Sequence, residues 1–323
     1  MKKISFILSI SIQIFLLFLG GCVAQETRET QEVVLPVGYI PNVQFAPFYV
    51  AIEKGFYREE GIELSLNYGY EIDGVSLVGA EQYQFAVASG EQVLLAQDKG
   101  LPVVYVMNWY KQFPVGISAL ESSGITEIDD LASKKIGVPA LQGASYIALR
   151  AILDAEGLSE SDVTIEVIGF TQAEMLSTGK VDAAVVYLAN EPVVLESQGY
   201  QVRNFPVYDS IEIVGNGLIT NALTIEDNPE LVRAMVSATL RGIQYAANNP
   251  NETYEICKKY VENLDQDADA TQYAVLQESM NFWTKDGMSD EAAWLNTDQV
   301  LRMMGLISKE IHLADMYTND YLP

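Results

Sequence analysis

Along residues 33–221 short apolar runs alternate with helix-patterned segments, and this alternation constrains the fold more than any other feature of the chain. "VVLPV" reads as a buried strand, and Phe48, Ala51 and Ile52 recur at helical spacing after the break made by Gly38 and Pro41. "GIELSLNYGYE" is a second strand, because Ile62, Leu64 and Leu66 alternate with polar residues. "DGVSLVGAEQ" then reads as a helix, "YQFAVAS" as a strand, "GEQVLLAQDKG" as a helix stopped at Gly100, and "LPVVYVMNWY" as a fourth strand. A second set follows: strand in "LASKKIGVPA", helix in "GASYIALRAILDAEG", strand in "VTIEVIG", then a helix and a strand in "FTQAEMLSTGKVDAAVVYLANEP". Such alternation predicts an α/β fold with mainly parallel sheets. "GKVDAAVVY" echoes "QYQFAVAS", which suggests two lobes of similar build; after "IEIVGNGLITN" the chain turns largely helical.

The N-terminus sets the compartment. Lys2 and Lys3, the apolar stretch 4–19 and the small residues that follow read as a signal peptide over residues 1–21. The apolar run is shorter than the ~20 residues a spanning helix needs. Its close, Leu19-Gly20-Gly21-Cys22, resembles a bacterial lipobox, which would make Cys22 a lipidated first residue and residues 22–32 a flexible linker on a membrane-tethered, extracytoplasmic body. Cys257 is the only other cysteine, so no intramolecular disulfide forms once Cys22 carries lipid. Stability then rests on the core, and the remaining chain is long enough for two lobes. A formal charge of −25, two units more negative without Lys2 and Lys3, argues against nucleic acid as a partner.

"GYIPNVQFAPFYVAIEKGFYREEGIELSL", "FAVASGEQVLLA", "IGVPALQGASYIALRAIL", "GKVDAAVVYLANEP" and "NGLIT" together resemble the periplasmic binding proteins of the thiamine-precursor, sulfonate and riboflavin group. The resemblance implies a type II periplasmic-binding-protein fold: two doubly wound α/β lobes around a central ligand cleft. Lobe 1 would hold residues 33–116 and 218–323 and lobe 2 residues 117–217, with crossovers near 115–118 and 215–219. It also implies the substrate-binding lipoprotein of an ABC importer, partnered by a permease and a separate ATPase. "LPVVYVMNWYKQFPV" and the turn Tyr39 to Asn42, with Gly38-Tyr39 and Phe45 where the pyrimidine branch has an acidic-aromatic pair and a histidine, favour the riboflavin branch. A thiamine-precursor pyrimidine is the alternative ligand and a sulfonate a more distant one.

Tyr39, Phe45, Phe48, Trp109 and Tyr110 fall at or just after strand ends, the edge where open α/β sheets bind ligands. Aromatics there can hold a planar heterocycle, Tyr39 and Trp109 by stacking; ordinary core packing is the alternative, most of all for Phe48. "ASGEQ" places Ser89 and Gly90 at a helix start, where free N–H groups serve a ligand or Ser89 acts as N-cap, with Glu91 facing cleft or solvent. "PALQGASY" repeats this in the second lobe with Gln142, Gly143, Ala144 and Ser145, donors that suit a phosphate, a sulfonate or a flavin's carbonyls and hydroxyls. "YLANEP" adds Tyr187, Asn190 and Glu191 as polar groups able to fix orientation, Glu191 as an acceptor.

No cofactor motif emerges, and neither a P-loop nor a catalytic or metal-ligating set is legible. His312 is the sole histidine and lies away from the strand ends, which leaves acid/base and metal chemistry little to use. A yeast pyrimidine synthase shares the fold group, but its cysteine-rich motif and active histidine have no counterpart here, so the expectation is a binding protein.

Overall fold

The computed structural model describes residues 30–262, 264, 269–310 and 312–323. The expected signal peptide, Cys22 and residues 23–29 of the expected linker lie outside the described residues, and the linker ends earlier than read from the sequence, because Gln31 and Glu32 already belong to the first strand.

Val33, Leu35 and Val37 point into the core from β1 (Gln31–Val37), which pairs in parallel with β2 (Ile62–Tyr68), Gln31 opposite Ile62. Beside this pair, β10 (Asn216–Asn221) lies between β3 (Ala86–Ser89) and β4 (Val103–Asn108) and runs antiparallel to both. A separate five-stranded sheet has the order β7-β6-β8-β5-β9. Its strands are β5 (Val115–Leu120), β6 (Lys135–Val138), β7 (Thr164–Val167), β8 (Ala183–Tyr187) and β9 (Val202–Pro206). Val115, Ile117, Ile136, Val138, Leu149 and Val185 centre the second lobe, while a larger buried cluster runs from Leu35, Val87 and Leu218 to Val186 on the other face of β8.

Helices join the strands and cover the sheets. The helix Ala46–Glu53 starts with Pro47 in its first turn, where no N–H is needed, and packs its buried face on the long helix Pro229–Asn248. The latter is capped by the Asn228 side chain, which accepts from Leu231 N at 3.2 Å. In the C-terminal region Asp290 caps the helix Glu291–Met303, accepting from the N–H groups of Ala292 and Ala293.

The expectation of mainly parallel sheets needs one correction in each lobe. β5 runs antiparallel to both its neighbours, β8 and β9, and β10 to both of its own. Each is the first strand after the chain crosses between lobes, through residues 109–114 and 211–215. A chain leaving one sheet at its cleft edge enters the other from that same edge, so it must run the opposite way. Alternation of strand and helix gives no signal for this, and neither β5 nor β9 is read as a strand from the sequence. Val115 and Gly116 already pair with Tyr187 and Val186, and Asn216 and Gly217 with Ser89 and Ala88. The passages between sheets therefore fall a few residues before the positions read from the sequence.

Candidate functional site

The crossings place the carboxyl ends of the parallel strands face to face, and a cavity of about 850 Å³, part of it open to solvent, lies between them. The first lobe lines it with Tyr39, Phe45, Trp109 and Tyr110, as expected, and with Tyr70, Glu71 and Asn216. The second contributes the expected Gln142, Gly143, Ala144, Ser145, Tyr187, Asn190 and Glu191, together with Phe170 and Gln172.

Two aromatic groups shape the walls. Trp109 stacks against Tyr110 with ring centroids 4.2 Å apart and against Phe45 at 5.5 Å, while Phe48 meets it edge-on. Only 3% of Trp109 is exposed, so most of its ring surface belongs to the core and little is left for a ligand to stack on. This corrects the expectation of a free stacking platform. The Trp109 Nε1–H, however, is buried without a hydrogen-bond partner among the described residues, and so is Oε1 of Gln172. A donor and an acceptor left unpaired beside a cleft would each cost free energy unless something polar enters to meet them. The second group bridges the lobes: Phe170 meets Tyr39 edge-on at 4.8 Å and Tyr70 at 5.4 Å.

Polar contacts cross the cleft as well. Asn190 Nδ2 donates to the Tyr39 hydroxyl at 3.4 Å, and the Tyr187 hydroxyl donates to Asn216 Oδ1 at 3.4 Å. Glu191, 5% exposed, opens the helix Glu191–Ser197 and accepts from Tyr187 N at 2.9 Å and Asn190 Nδ2 at 3.1 Å. Burial outweighs these bonds and pushes its carboxyl up to about 7. Burial and the charge of Glu191 likewise hold the Tyr39 hydroxyl well above the ordinary phenol range.

Glu71 is the site residue that carries no sequence signal. It opens the helix Glu71–Gly79 and accepts from both the backbone N–H and the hydroxyl of Ser89, the latter at 2.6 Å. The Ala144 N–H, at the start of the helix Gly143–Ala155, also favours its ionised form, although burial raises its pKa on balance. One carboxyl group thus serves both helix starts that the sequence offers as ligand donors. Ser89 Oγ lies 2.5 Å from Glu91 as well, and a hydroxyl has one proton, so one of the two acids must donate to it. Glu91 is the candidate: burial first and then the Glu71 charge push it up to about 8.

Five expected site residues stand behind the wall. Asn42 caps the turn Val43–Phe45 by accepting from Gln44 N at 2.9 Å, and Phe48 lies in the core at 1% exposure. Ser89 and Glu91 are fully buried under Glu71. Gly90 presses against Val214, where a Cβ would sit 2.3 Å from that side chain, so its glycine reflects packing. Tyr70 and Phe170, in contrast, follow strand ends by the same rule that singles out Tyr39.

The sequence and the fold match known proteins. The chain is 38% identical over 303 residues to the riboflavin-binding protein RibY of Chloroflexus aurantiacus, covering 91% of this chain and 86% of that one. It is 28% identical over 261 residues to a formylaminopyrimidine-binding protein of Halalkalibacterium halodurans, covering 76% and 77%. Among solved structures, the alkanesulfonate-binding protein SsuA of Xanthomonas axonopodis pv. citri, bound to MOPS, superimposes with a TM-score of 0.69 at 14% identity over 90% of this chain and 99% of that one. The fold is that of the periplasmic binding proteins. Residues 42–253 match the model of one family, and this chain belongs to it: NMT1/THI5 like.

Proposed function

We propose that this chain is the ligand-capturing subunit of an ABC importer and that riboflavin or a related flavin is its ligand, a role in binding and not in catalysis. The observation that carries the reading is the inter-lobe cavity, lined by aromatics of both lobes and by the polar side chains of Glu71, Gln142, Gln172, Asn190 and Glu191. Pockets with an apolar lining and a few fixed polar groups suit small heteroaromatic ligands. The 38% identity to a riboflavin-binding protein supports the choice of ring.

In this role residues 1–21 direct export, Cys22 carries the lipid that holds the body outside the membrane, and the segment before β1, which starts at Gln31, gives it reach. Closure of the lobes over a ligand shifts the population that a permease recognises, and a separate ATPase drives transport. Tyr39 and Phe170 cover the ring, and Glu191 and Gln172 accept from its donors.

Calorimetric titration of the mature chain with riboflavin and with formylaminopyrimidine tests the reading. Tight flavin binding, visible also as a yellow protein after expression, is the expected result. Tight pyrimidine binding with no flavin binding would overturn it.

A further inference from the structure

Charge in the cleft is one-sided. Among the described residues, Glu71 and Glu191 are the only carboxylic acids that line it, and none of the lining residues is Lys, Arg or His. The place where an anion would find backbone donors, the start of the helix Gly143–Ala155, faces the Glu71 carboxyl group. Glu71 is held there from below by the Ser89 N–H and hydroxyl. It is held from the side by Gly38, whose missing Cβ would lie 2.9 Å from the Glu71 Cβ. The carboxyl group is thus fixed at the junction of two helix starts, where their dipoles stabilise one negative charge and a second would be repelled.

We propose that Glu71 is a specificity-determining residue: its carboxylate takes the position of a ligand's anionic group, so the cleft admits the neutral, donor-rich form of a heterocycle and rejects the phosphorylated or sulfonated form. This rests on the reading of the cleft as a ligand site and refines it from ring type to charge. Substituents that reach Glu71 are hydroxyl or ring N–H donors, which a carboxylate accepts. A phosphate offers only acceptors and charge at neutral pH, and no cation in the lining offsets it.

The experiment titrates riboflavin and riboflavin 5′-phosphate into the mature wild-type chain and into Glu71→Gln, which keeps an acceptor for Ser89 N. Wild type is expected to prefer riboflavin by at least about tenfold, the scale of a like-charge contact at moderate range, and Glu71→Gln to narrow that ratio by about tenfold. An unchanged ratio overturns the proposal. A second arm needs no flavin: inorganic phosphate, compared with chloride at matched ionic strength, is expected to raise the melting temperature of Glu71→Ala and not that of wild type. Equal responses to phosphate overturn the proposal, whereas a gain confined to the variant upholds it even where no flavin binds, an outcome that would overturn the flavin reading alone.

Discussion

Trp109 lies stacked on Tyr110, 4.2 Å between centroids and 21° between planes, and this pair ties the wall of the cleft to the core of the first lobe. Stability and binding are therefore linked at Trp109. Replacement by Ala is expected to cost ~3–5 kcal/mol of folding free energy, the range for a large buried aromatic. Replacement by Phe keeps much of the stack and removes Nε1, so it should weaken ligand binding about fivefold to tenfold, the worth of roughly one hydrogen bond. Urea denaturation and ligand titration of both variants separate the two effects. A Trp109→Ala protein with wild-type stability would contradict the packing described here.

Glu91 gives stability a pH dependence of known sign. Its carboxyl is pushed up from 4.5 to about 8 by burial and by Glu71, so the folded state holds the proton more tightly than the unfolded chain does. Its contribution is most favourable below about 4.5 and is lost as the pH rises through about 8. Glu91→Gln cannot ionise. Its melting temperature should fall less than that of wild type between acidic and mildly alkaline buffer, and parallel curves would remove Glu91 as the cause.

Glu191 acts where ligand is expected to bind. Pushed up to about 7, its carboxyl changes from a protonated group to a full acceptor across neutral pH. Flavin affinity through a ring N–H donor should strengthen as the pH rises through that value and be nearly flat in Glu191→Gln. Titrations either side of neutrality measure this, and identical pH profiles for the two proteins would exclude Glu191 as the acceptor.

The Tyr39 hydroxyl meets Asn190 and Glu191 of the opposite lobe, while its ring rests edge-on against Phe170. Tyr39→Phe should leave the ligand-free melting temperature almost unchanged. Phe170→Ala removes the ring itself and should cost ~1–3 kcal/mol of binding, by analogy with aromatic stacking on nucleic-acid bases. Wild-type affinity in Phe170→Ala would place the ligand elsewhere in the cavity.

Much of this was legible in the chain. Apolar runs between helix-patterned segments reveal β1, β3 and β4, alternation reveals β2, and the strand-end rule finds Tyr39, Trp109, Tyr187 and Glu191. It applies equally to Tyr70 and Phe170. β5 and β10 differ: "VGISAL" and "NGLITN" are short buried runs whose direction is set by where the chain comes from, a property of the whole topology. Glu71 is the hardest case. An acid in the first turn of a helix is ordinary in sequence, and its meaning depends on Ser89 and Ala144, 18 and 73 positions away.

The reversed strand β10 also bears on the order in which the molecule can be assembled. All five strands of the second sheet lie within residues 115–206, so that sheet can close from one continuous piece of chain. The three-stranded sheet cannot, because its central member arrives only at residues 216–221, and until then β3 and β4 have no partner between them. A chain emerging from its N-terminus therefore can complete the sheet of its second lobe before the three-stranded sheet of its first.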